Sequence, residues 1–238
     1  MIDWSRVQAL SFDCFGTLVD WEKGILGDLK TGLTTRSGKE LSTYYDDDEL
    51  LRFYGQAEPA AQGTPFKPYR DVLKIALLRI ADAGHLKIKD PEVLLRGLAS
   101  WPVFEDVPEA LAGLASRFKL ALVTNCDRDL LAPIVERLGV PFEVIVTSDA
   151  VKAYKPSPKL LEEALRALNI GKDALVHVAQ SLFHDIEAAR ELGISTVHVD
   201  RRGGRPGGAT PRPTTVVVPD LKVNSLSELN QVVLEAGS

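Results

Sequence analysis

The sequence predicts an α/β fold in which a doubly wound parallel sheet carries an inserted helical domain. Three observations predict this fold. Val7 to Phe12 is a short apolar run, typical of a strand that is buried on both faces. Helical periodicity then continues for about eighty residues. From Phe104 onward, helix and strand patterns alternate regularly, which implies parallel strands joined by right-handed crossovers.

The insertion follows the first strand. Apolar residues recur there at three- and four-residue spacing, which predicts helices at Trp21 to Leu33, Asp46 to Gln56, Tyr69 to Ala83 and Pro91 to Ser100. Strand patterns resume only near Leu120. We therefore expect a Rossmann-like core domain of residues 1–19 and 101–238, and an all-helical second domain of residues 20–100.

The remaining elements of the core follow from apolar runs and capping residues. Strands are predicted at Lys119 to Val123, Phe142 to Val146, Ala174 to Val178, Thr196 to Val199 and Val216 to Val218. Helices are predicted at Asp106 to Arg117, Leu130 to Leu138, Pro158 to Leu168, His184 to Leu192 and Leu226 to Leu234. The segment 201–215 is rich in Gly, Pro and Arg, and it predicts a surface loop.

Composition excludes several classes of partner. The 238-residue chain has a net charge of -5 and no stripe of basic residues, which argues against binding to nucleic acid. No apolar run approaches the ~18 residues that cross a bilayer, and Met1 to Trp4 does not resemble a leader. We therefore expect a cytoplasmic protein without a membrane partner, and a homodimer is the base-rate expectation for a soluble enzyme.

Two cysteines, Cys14 and Cys126, fit a reducing compartment. Each lies beside a candidate site residue, so a cysteine nucleophile is one interpretation. No histidine lies at a matching strand end, which disfavours that chemistry.

Polar residues mark the ends of the predicted strands. These residues are Asp13, Thr124 with Asn125, Lys155 and Asp185. Each has an ordinary explanation as a turn, loop or helix-capping residue. The carboxyl ends of parallel strands converge at one edge of a sheet, where ligands bind, so together the four positions predict a functional site.

The segments that contain these residues resemble the four motifs of the haloacid dehalogenase superfamily of hydrolases. Phe12-Asp13-Cys14-Phe15-Gly16-Thr17-Leu18 resembles the first motif, whose Asp is a covalent nucleophile. Val123-Thr124-Asn125 and Tyr154-Lys155-Pro156 resemble the second and third motifs, and Val178 to Asp185 resembles the fourth. The order and the strand-end positions make the combined match specific.

Departures from the motifs select a branch of the superfamily. Its phosphatases carry a proton-donating Asp two positions after the nucleophile, where this chain has Phe15. That difference points to the L-2-haloacid dehalogenases. In magnesium-dependent members an acid of the fourth motif binds the metal, and Gln180 occupies the matching position here, so we expect no metal and no cofactor. Known dehalogenases carry Ser and Asn where this chain has Gln180 and Leu182.

The resemblance implies roles for individual residues. Asp13 would attack the α-carbon of a small 2-substituted carboxylate, with its pKa lowered by Lys155. Asp185, with Lys155, would position the water that hydrolyses the resulting ester. The residues expected to bind the substrate are Phe15, Thr124, Asn125, Gln180, Ser181 and, from the helical insertion that resembles the family's cap domain, the halide-binding candidate Arg52.

Three other functions stay open. The altered fourth motif also resembles hydrolases that open a strained ring bearing a carboxylate, such as azetidine-2-carboxylate hydrolase. A magnesium-dependent small-molecule phosphatase that has lost its general acid is a second alternative. A non-catalytic binding protein with the same fold is the third, and it would tolerate Asp13→Asn.

Overall fold

The computed structural model describes residues 2–205, 207–213 and 216–236. The chain separates into two compact units. The first contains the chain up to Val19, Val103–Arg205 and the chain from Arg212 onward. The second contains Asp20–Pro102 together with the described part of a loop around Ala209. We had placed that loop in the core domain.

The first unit contains a six-stranded sheet. Its strands are β1 (Ala9–Phe12), β4 (Lys119–Thr124), β5 (Val144–Thr147), β6 (Leu175–Ala179), β7 (Ser195–Val199) and β8 (Leu221–Val223). Their order across the sheet is β5-β4-β1-β6-β7-β8, and all neighbouring pairs are parallel. This architecture confirms the predicted doubly wound fold class.

Helices connect or flank these strands. They are α5 (Val107–Ala115), α6 (Arg128–Leu138), α7 (Ser148–Val151), α8 (Lys159–Leu168), α9 (Glu187–Glu191) and α10 (Leu226–Ala236). A π-helical turn, Leu182–Ile186, precedes α9 and occupies the start of the helix that we predicted from His184. Leu160, Leu161 and Ala164 of α8 belong to a buried cluster that also contains residues of β1, β4, β5 and β6. One apolar helix face therefore covers the sheet.

The predicted last strand is wrong. Val216 and Val218 are 92% and 62% exposed and form no strand, whereas Leu221–Val223 pairs with β7 and buries Val223. A run of valines favours a strand locally, but pairing depends on which residues reach the edge of the sheet.

The second unit is mainly helical. Its helices are α1 (Trp21–Gly32), α2 (Asp47–Gln62), α3 (Tyr69–Ala83) and α4 (Val93–Gly97). Asp46 and Glu49 form a reciprocal capping box that fixes the start of α2. We predicted helices alone, but β2 (Leu33–Thr35) and β3 (Leu86–Ile88) form a two-stranded antiparallel ladder. Three-residue strands are too short to show an alternating pattern.

Within the described residues, none of the helices combines the length and apolarity that crossing a lipid bilayer requires.

Candidate active site

Asp13 lies directly after the central strand β1. All four residues of β1 are buried, and the strand pairs with β4 on one side and β6 on the other. The backbone N–H of Asp13 donates to the Val178 carbonyl at 3.1 Å, so the ladder with β6 continues to this residue. Gly16 then adopts a φ of 92°, which glycine allows without strain. The resulting turn leaves Asp13 6% exposed at the carboxyl edge of the sheet.

Lys155 joins the two candidate carboxylates. Its Nζ lies 2.7 Å from Asp13 Oδ1 and 2.6 Å from Asp185 Oδ1, and it also donates to the Val123 carbonyl at 3.0 Å. Lys155 is 2% exposed and Asp185 is 1% exposed. A buried ammonium therefore has three acceptors, and each carboxylate has a cationic partner.

Asn125 and Thr17 support this arrangement. Asn125 Oδ1 accepts from the backbone N–H of Lys155 at 2.7 Å, and Asn125 Nδ2 donates to the Lys155 carbonyl at 3.2 Å. The Thr17 hydroxyl donates to Asp13 Oδ2 at 2.8 Å and accepts from the Gln180 N–H at 2.9 Å. Asn125 thus holds the backbone of Lys155, and Thr17 links the nucleophile candidate to the end of β6.

A second buried contact reaches Asp185. His177 Nε2 lies 3.0 Å from Asp185 Oδ1, and His177 Nδ1 lies 2.8 Å from the Ser11 hydroxyl. Ser11 and His177 are both fully buried. Asp185 Oδ1 is therefore contacted by both an ammonium and an imidazole.

The net pKa shift of Asp13 is opposite to our expectation. Burial, the largest influence, raises the pKa of Asp13, and the nearby Asp185 raises it further, although Lys155 lowers it. One ammonium shared by two carboxylates does not outweigh the loss of solvation. Burial also opposes ionisation of Asp185, but Lys155 and the hydrogen bond with His177 lower the pKa of that carboxyl to about 2. Asp185 is thus ionised at neutral pH.

Lys155 remains protonated in this cluster. Burial favours the neutral amine, but Asp13 and Asp185 together raise the pKa of Lys155 above its ordinary value. The cluster therefore contains a fixed positive charge.

The residues do not fit Mg²⁺ well. Lys155 Nζ contacts one oxygen of each carboxylate, where a cation bridging the two would bind. Gln180 supplies a neutral amide at the position of the third ligand. Within the described chain, no group of three or more His, Cys, Asp and Glu side chains could hold a metal ion.

The predicted substrate-binding residues have different environments. Thr124 Oγ1 is buried and has no hydrogen-bond partner among the described residues, so its hydrogen-bonding capacity is unused there. The Ser181 hydroxyl accepts from the His184 N–H at 2.8 Å and so caps the π-helical turn. Phe15 and Gln180 are both partly buried. Phe15 lies two positions after Asp13 in the chain, and the Gln180 N–H donates to the Thr17 hydroxyl. Arg52 lies on α2 in the second unit, with its side chain 60% exposed.

The two cysteines are buried in the first unit. Burial raises the pKa of the Cys14 thiol and of the Cys126 thiol well above its ordinary value. Both thiols are therefore protonated and poorly nucleophilic at neutral pH.

Four residues of this region were not predicted from the sequence: Ser11, Thr17, His177 and Arg201. Thr17 lies within the segment that resembles the first motif and could have been identified from it. Ser11 and His177 lie inside apolar strands and carry no local signal. Arg201 lies beyond β7, yet it donates to the Thr17 carbonyl at 2.8 and 3.1 Å.

Comparisons with known proteins agree with the fold and the motifs. Residues 11–199 match the family described as haloacid dehalogenase-like hydrolase. A phosphoglycolate phosphatase of Colwellia psychrerythraea is 34% identical over 201 residues, covering 80% of this chain and 83% of the relative. An (S)-2-haloacid dehalogenase of Pseudomonas sp. is 24% identical over 200 residues, covering 83% of this chain and 84% of the relative.

A solved structure is similar over nearly the whole chain. The L-2-haloacid dehalogenase of Xanthobacter autotrophicus, with chloropropionic acid covalently bound, gives a TM-score of 0.75 at 18% identity. The match covers 96% of this chain and 98% of that chain, and at this identity it shows the fold alone. The match of the family over residues 11–199 and the 34% identical relative show that this chain belongs to the haloacid dehalogenase-like hydrolases.

Proposed function

We propose that the protein is a metal-independent hydrolase that displaces a substituent, preferably a halide, from the α-carbon of a small 2-substituted carboxylic acid. The observation that carries this proposal is the position of Lys155 Nζ, 2.7 Å from Asp13 and 2.6 Å from Asp185. An ammonium there supplies positive charge to both carboxylates without a metal. Relatives named as haloacid dehalogenases are consistent with it.

The first step is a substitution at carbon. An Asp13 oxygen attacks the α-carbon, a carbon–oxygen bond forms, and the halide leaves with the electron pair of the carbon–halogen bond. A halide is a stable anion and needs no proton, so Phe15 can occupy the position of a general acid. Lys155 and Thr17 stabilise the ionised form of Asp13 that this attack requires.

The second step hydrolyses the ester on Asp13. Asp185 accepts a proton from water as the water oxygen adds to the carbonyl carbon of the ester. Collapse of this adduct breaks the bond between that carbon and the substrate oxygen, and Asp185 returns the proton to the departing hydroxy acid. Asp13 then ionises, so each turnover consumes one water and releases one halide and one proton.

Substrate binding is assigned to the neighbouring polar groups. The unpartnered hydroxyl of Thr124 would bind the substrate carboxylate with the amide of Asn125. Gln180 and Ser181 would border that group, and Phe15 would contact the apolar part of the substrate.

A phosphatase is the main competing function. The relative with 34% identity is named as a phosphoglycolate phosphatase, which favours this alternative. A phosphate ester requires protonation of its leaving alkoxide, and Phe15 cannot donate a proton. The poor fit to Mg²⁺ argues in the same direction.

Ring opening is a variant of the proposed chemistry. This chain has Gln180 and Leu182 at two positions of the fourth motif where known dehalogenases carry Ser and Asn. This difference favours a substrate other than that of the known dehalogenases. In azetidine-2-carboxylate the ring nitrogen is already protonated at neutral pH, so it too could leave without a general acid.

The test compares three substrate classes with one preparation. Halide release from L-2-chloropropionate and monochloroacetate in EDTA is the expected activity. Phosphate release from 2-phosphoglycolate that depends on Mg²⁺ would overturn the proposal. Conversion of azetidine-2-carboxylate to the ring-opened amino hydroxy acid would reassign the leaving group.

Substitution of Asp13 tests the nucleophile, and a change at Glu162 is the matched control. We expect Asp13→Asn to abolish halide release, while Glu162→Gln, a change on the exposed face of α8, retains it. A single turnover in ¹⁸O-labelled water should place label in the Asp13 carboxylate, since the hydroxy acid leaves with an Asp13 oxygen. Label found only in the product would contradict an Asp13 ester.

A further inference from the structure

A buried polar chain extends from the middle of the sheet to the candidate active site. Ser11 of β1 and His177 of β6 are register partners, and their side chains are 2.8 Å apart. His177 then contacts Asp185 at 3.0 Å. All three side chains are at most 1% exposed. Buried polar groups of this kind are costly unless every hydrogen bond is satisfied.

The residue types match a Ser-His-Asp triad, but the geometry excludes a serine nucleophile. Ser11 lies inside a strand that has a neighbour on each side, and it is fully buried. A substrate therefore cannot reach its hydroxyl. Of these three groups, it is the Asp185 carboxylate that lies in the candidate site. In hydrolytic triads the serine faces the substrate, so the order is reversed here.

The chemistry of these groups determines which of them donates each hydrogen bond. An ionised carboxylate only accepts hydrogen bonds, so His177 must donate from Nε2 to Asp185. A neutral imidazole then carries an acceptor at Nδ1, which the Ser11 hydroxyl can satisfy. Ser11 thereby favours the tautomer in which Nε2 carries the proton.

We propose that His177 is a positioning residue. Ser11 holds it in the Nε2–H tautomer, and its Nε2–H orients the Asp185 carboxylate that activates water for ester hydrolysis. The role in ester hydrolysis depends on the proposed function. Lys155 contacts Asp13 and Asp185 alike, whereas His177 contacts Asp185. His177 therefore distinguishes the two carboxylates and assigns the role of base to one of them.

The kinetic test separates the two chemical steps. In His177→Leu we expect the halide burst from L-2-chloropropionate to stay within about twofold of wild type, because Asp13 and Lys155 remain. Hydrolysis of the Asp13 ester should slow by about 10- to 100-fold, the range expected for one lost hydrogen bond to a charged group. Intact mass after rapid quenching should then show the accumulated ester.

Matched variants distinguish a positioning role of His177 from a purely structural role. His177→Gln retains an N–H donor and should recover part of the ester hydrolysis rate, and Ser11→Ala should give an intermediate loss. His85→Asn, in an exposed turn of the second unit, should behave as wild type. Equal slowing of both steps in His177→Leu, or unchanged ester hydrolysis, would overturn the proposal.

A second measurement does not depend on turnover. The ¹⁵N chemical shifts of the His177 imidazole should show a protonated Nε2 in the wild type and a larger share of the other tautomer in Ser11→Ala. An unprotonated Nε2 in the wild type would overturn the inference whatever the substrate. If Nε2 is protonated but no halide is released, the proposed function fails while the hydrogen-bond assignment is supported.

Discussion

At the scale of single residues, the site depends on one shared positive charge. Lys155 is buried and lies within 2.7 Å of both Asp13 and Asp185. Removing one partner of a buried ion pair leaves an uncompensated charge, and such changes typically cost about 3–5 kcal/mol. Lys155 therefore matters to the stability of the fold as well as to the proposed chemistry.

We predict that Lys155→Met lowers the free energy of unfolding by about 3–5 kcal/mol near neutral pH. Without the ammonium, burial raises the pKa of both carboxyls. Ionised carboxylates therefore lower the free energy of unfolding of the variant more than that of the wild type. The deficit relative to wild type should therefore be smaller at pH 4.5 than at pH 8. Urea denaturation at the two pH values measures this difference.

Lys159→Met is the control for that variant, because Lys159 is exposed at the start of α8. It should change the free energy of unfolding by less than about 0.5 kcal/mol at either pH. A deficit of Lys155→Met that is the same at both pH values would contradict the charge argument.

The chemistry-bearing residues of the site differ in how far sequence could predict them. Asp13, Lys155 and Asp185 follow strand patterns within recognisable motifs, and the structure brings all three together. Ser11 and His177 meet only because β1 and β6 pair in one register. No local pattern encodes that long-range contact. The net pKa shift of Asp13 also depended on burial, which sequence does not provide.

At the scale of elements, Arg201 connects the turn after β1 to two helices. Its guanidinium donates to the Thr17 carbonyl and makes two bonds, of 2.8 and 2.9 Å, to the Asp106 carboxylate. Asp106 in turn accepts from the Leu226 N–H, at the start of α10, at 2.7 Å. Arg201 Cζ also lies 4.1 Å from the centre of the Phe104 ring. A planar fork of donors suits this set of acceptors.

We predict that Arg201→Lys destabilises the first unit by about 2–4 kcal/mol, because an ammonium cannot reproduce the forked hydrogen bonds of a side chain that is 8% exposed. Thermal unfolding measures the loss. The matched change is Arg190→Lys, since Arg190 pairs with Asp220 but its side chain is 42% exposed. That pair should contribute less than about 1 kcal/mol. Equal losses in the two variants would contradict the role given to Arg201.

Element prediction succeeded where apolar runs were long or capped. The strands from β1 to β7 in the sheet agree with the predicted runs to within two residues, and α3 matches at both ends. The ladder of β2 and β3 was missed because two three-residue strands have no readable period. β8 was misplaced because the apolar run at Val216 is exposed, while the pairing residues lie five positions later.

At the scale of the whole molecule, stability should depend on a carboxyl outside the candidate site. Glu58 of α2, in the second unit, is 6% exposed, and Gln62 Nε2 donates to its Oε1 at 2.9 Å. Burial raises the pKa of Glu58 to about 7, although hydrogen bonds with Gln62 and Tyr69 oppose the shift. The folded protein therefore retains this proton at pH values at which the unfolded chain has lost it.

The sign of the pH dependence follows from that proton. Between the ordinary pKa of 4.5 and the folded pKa of about 7, the folded state binds more protons than the unfolded state. The contribution of Glu58 to the free energy of unfolding therefore falls as pH rises through this window, by up to about 3 kcal/mol in total, and is constant above it. Glu58→Gln removes the ionisation but keeps an oxygen that can accept from Gln62.

We predict that Glu58→Gln is close to wild type in thermal stability at pH 4.5 and melts several degrees higher at pH 8, since about 3 kcal/mol is restored there. Melting curves of both proteins across pH 4.5 to pH 8 measure the growing difference. Glu40→Gln, which alters an exposed glutamate of the same unit, should follow the wild-type curve throughout. A gap between Glu58→Gln and wild type that does not widen with pH would show that Glu58 ionises in the folded protein as readily as in the unfolded chain.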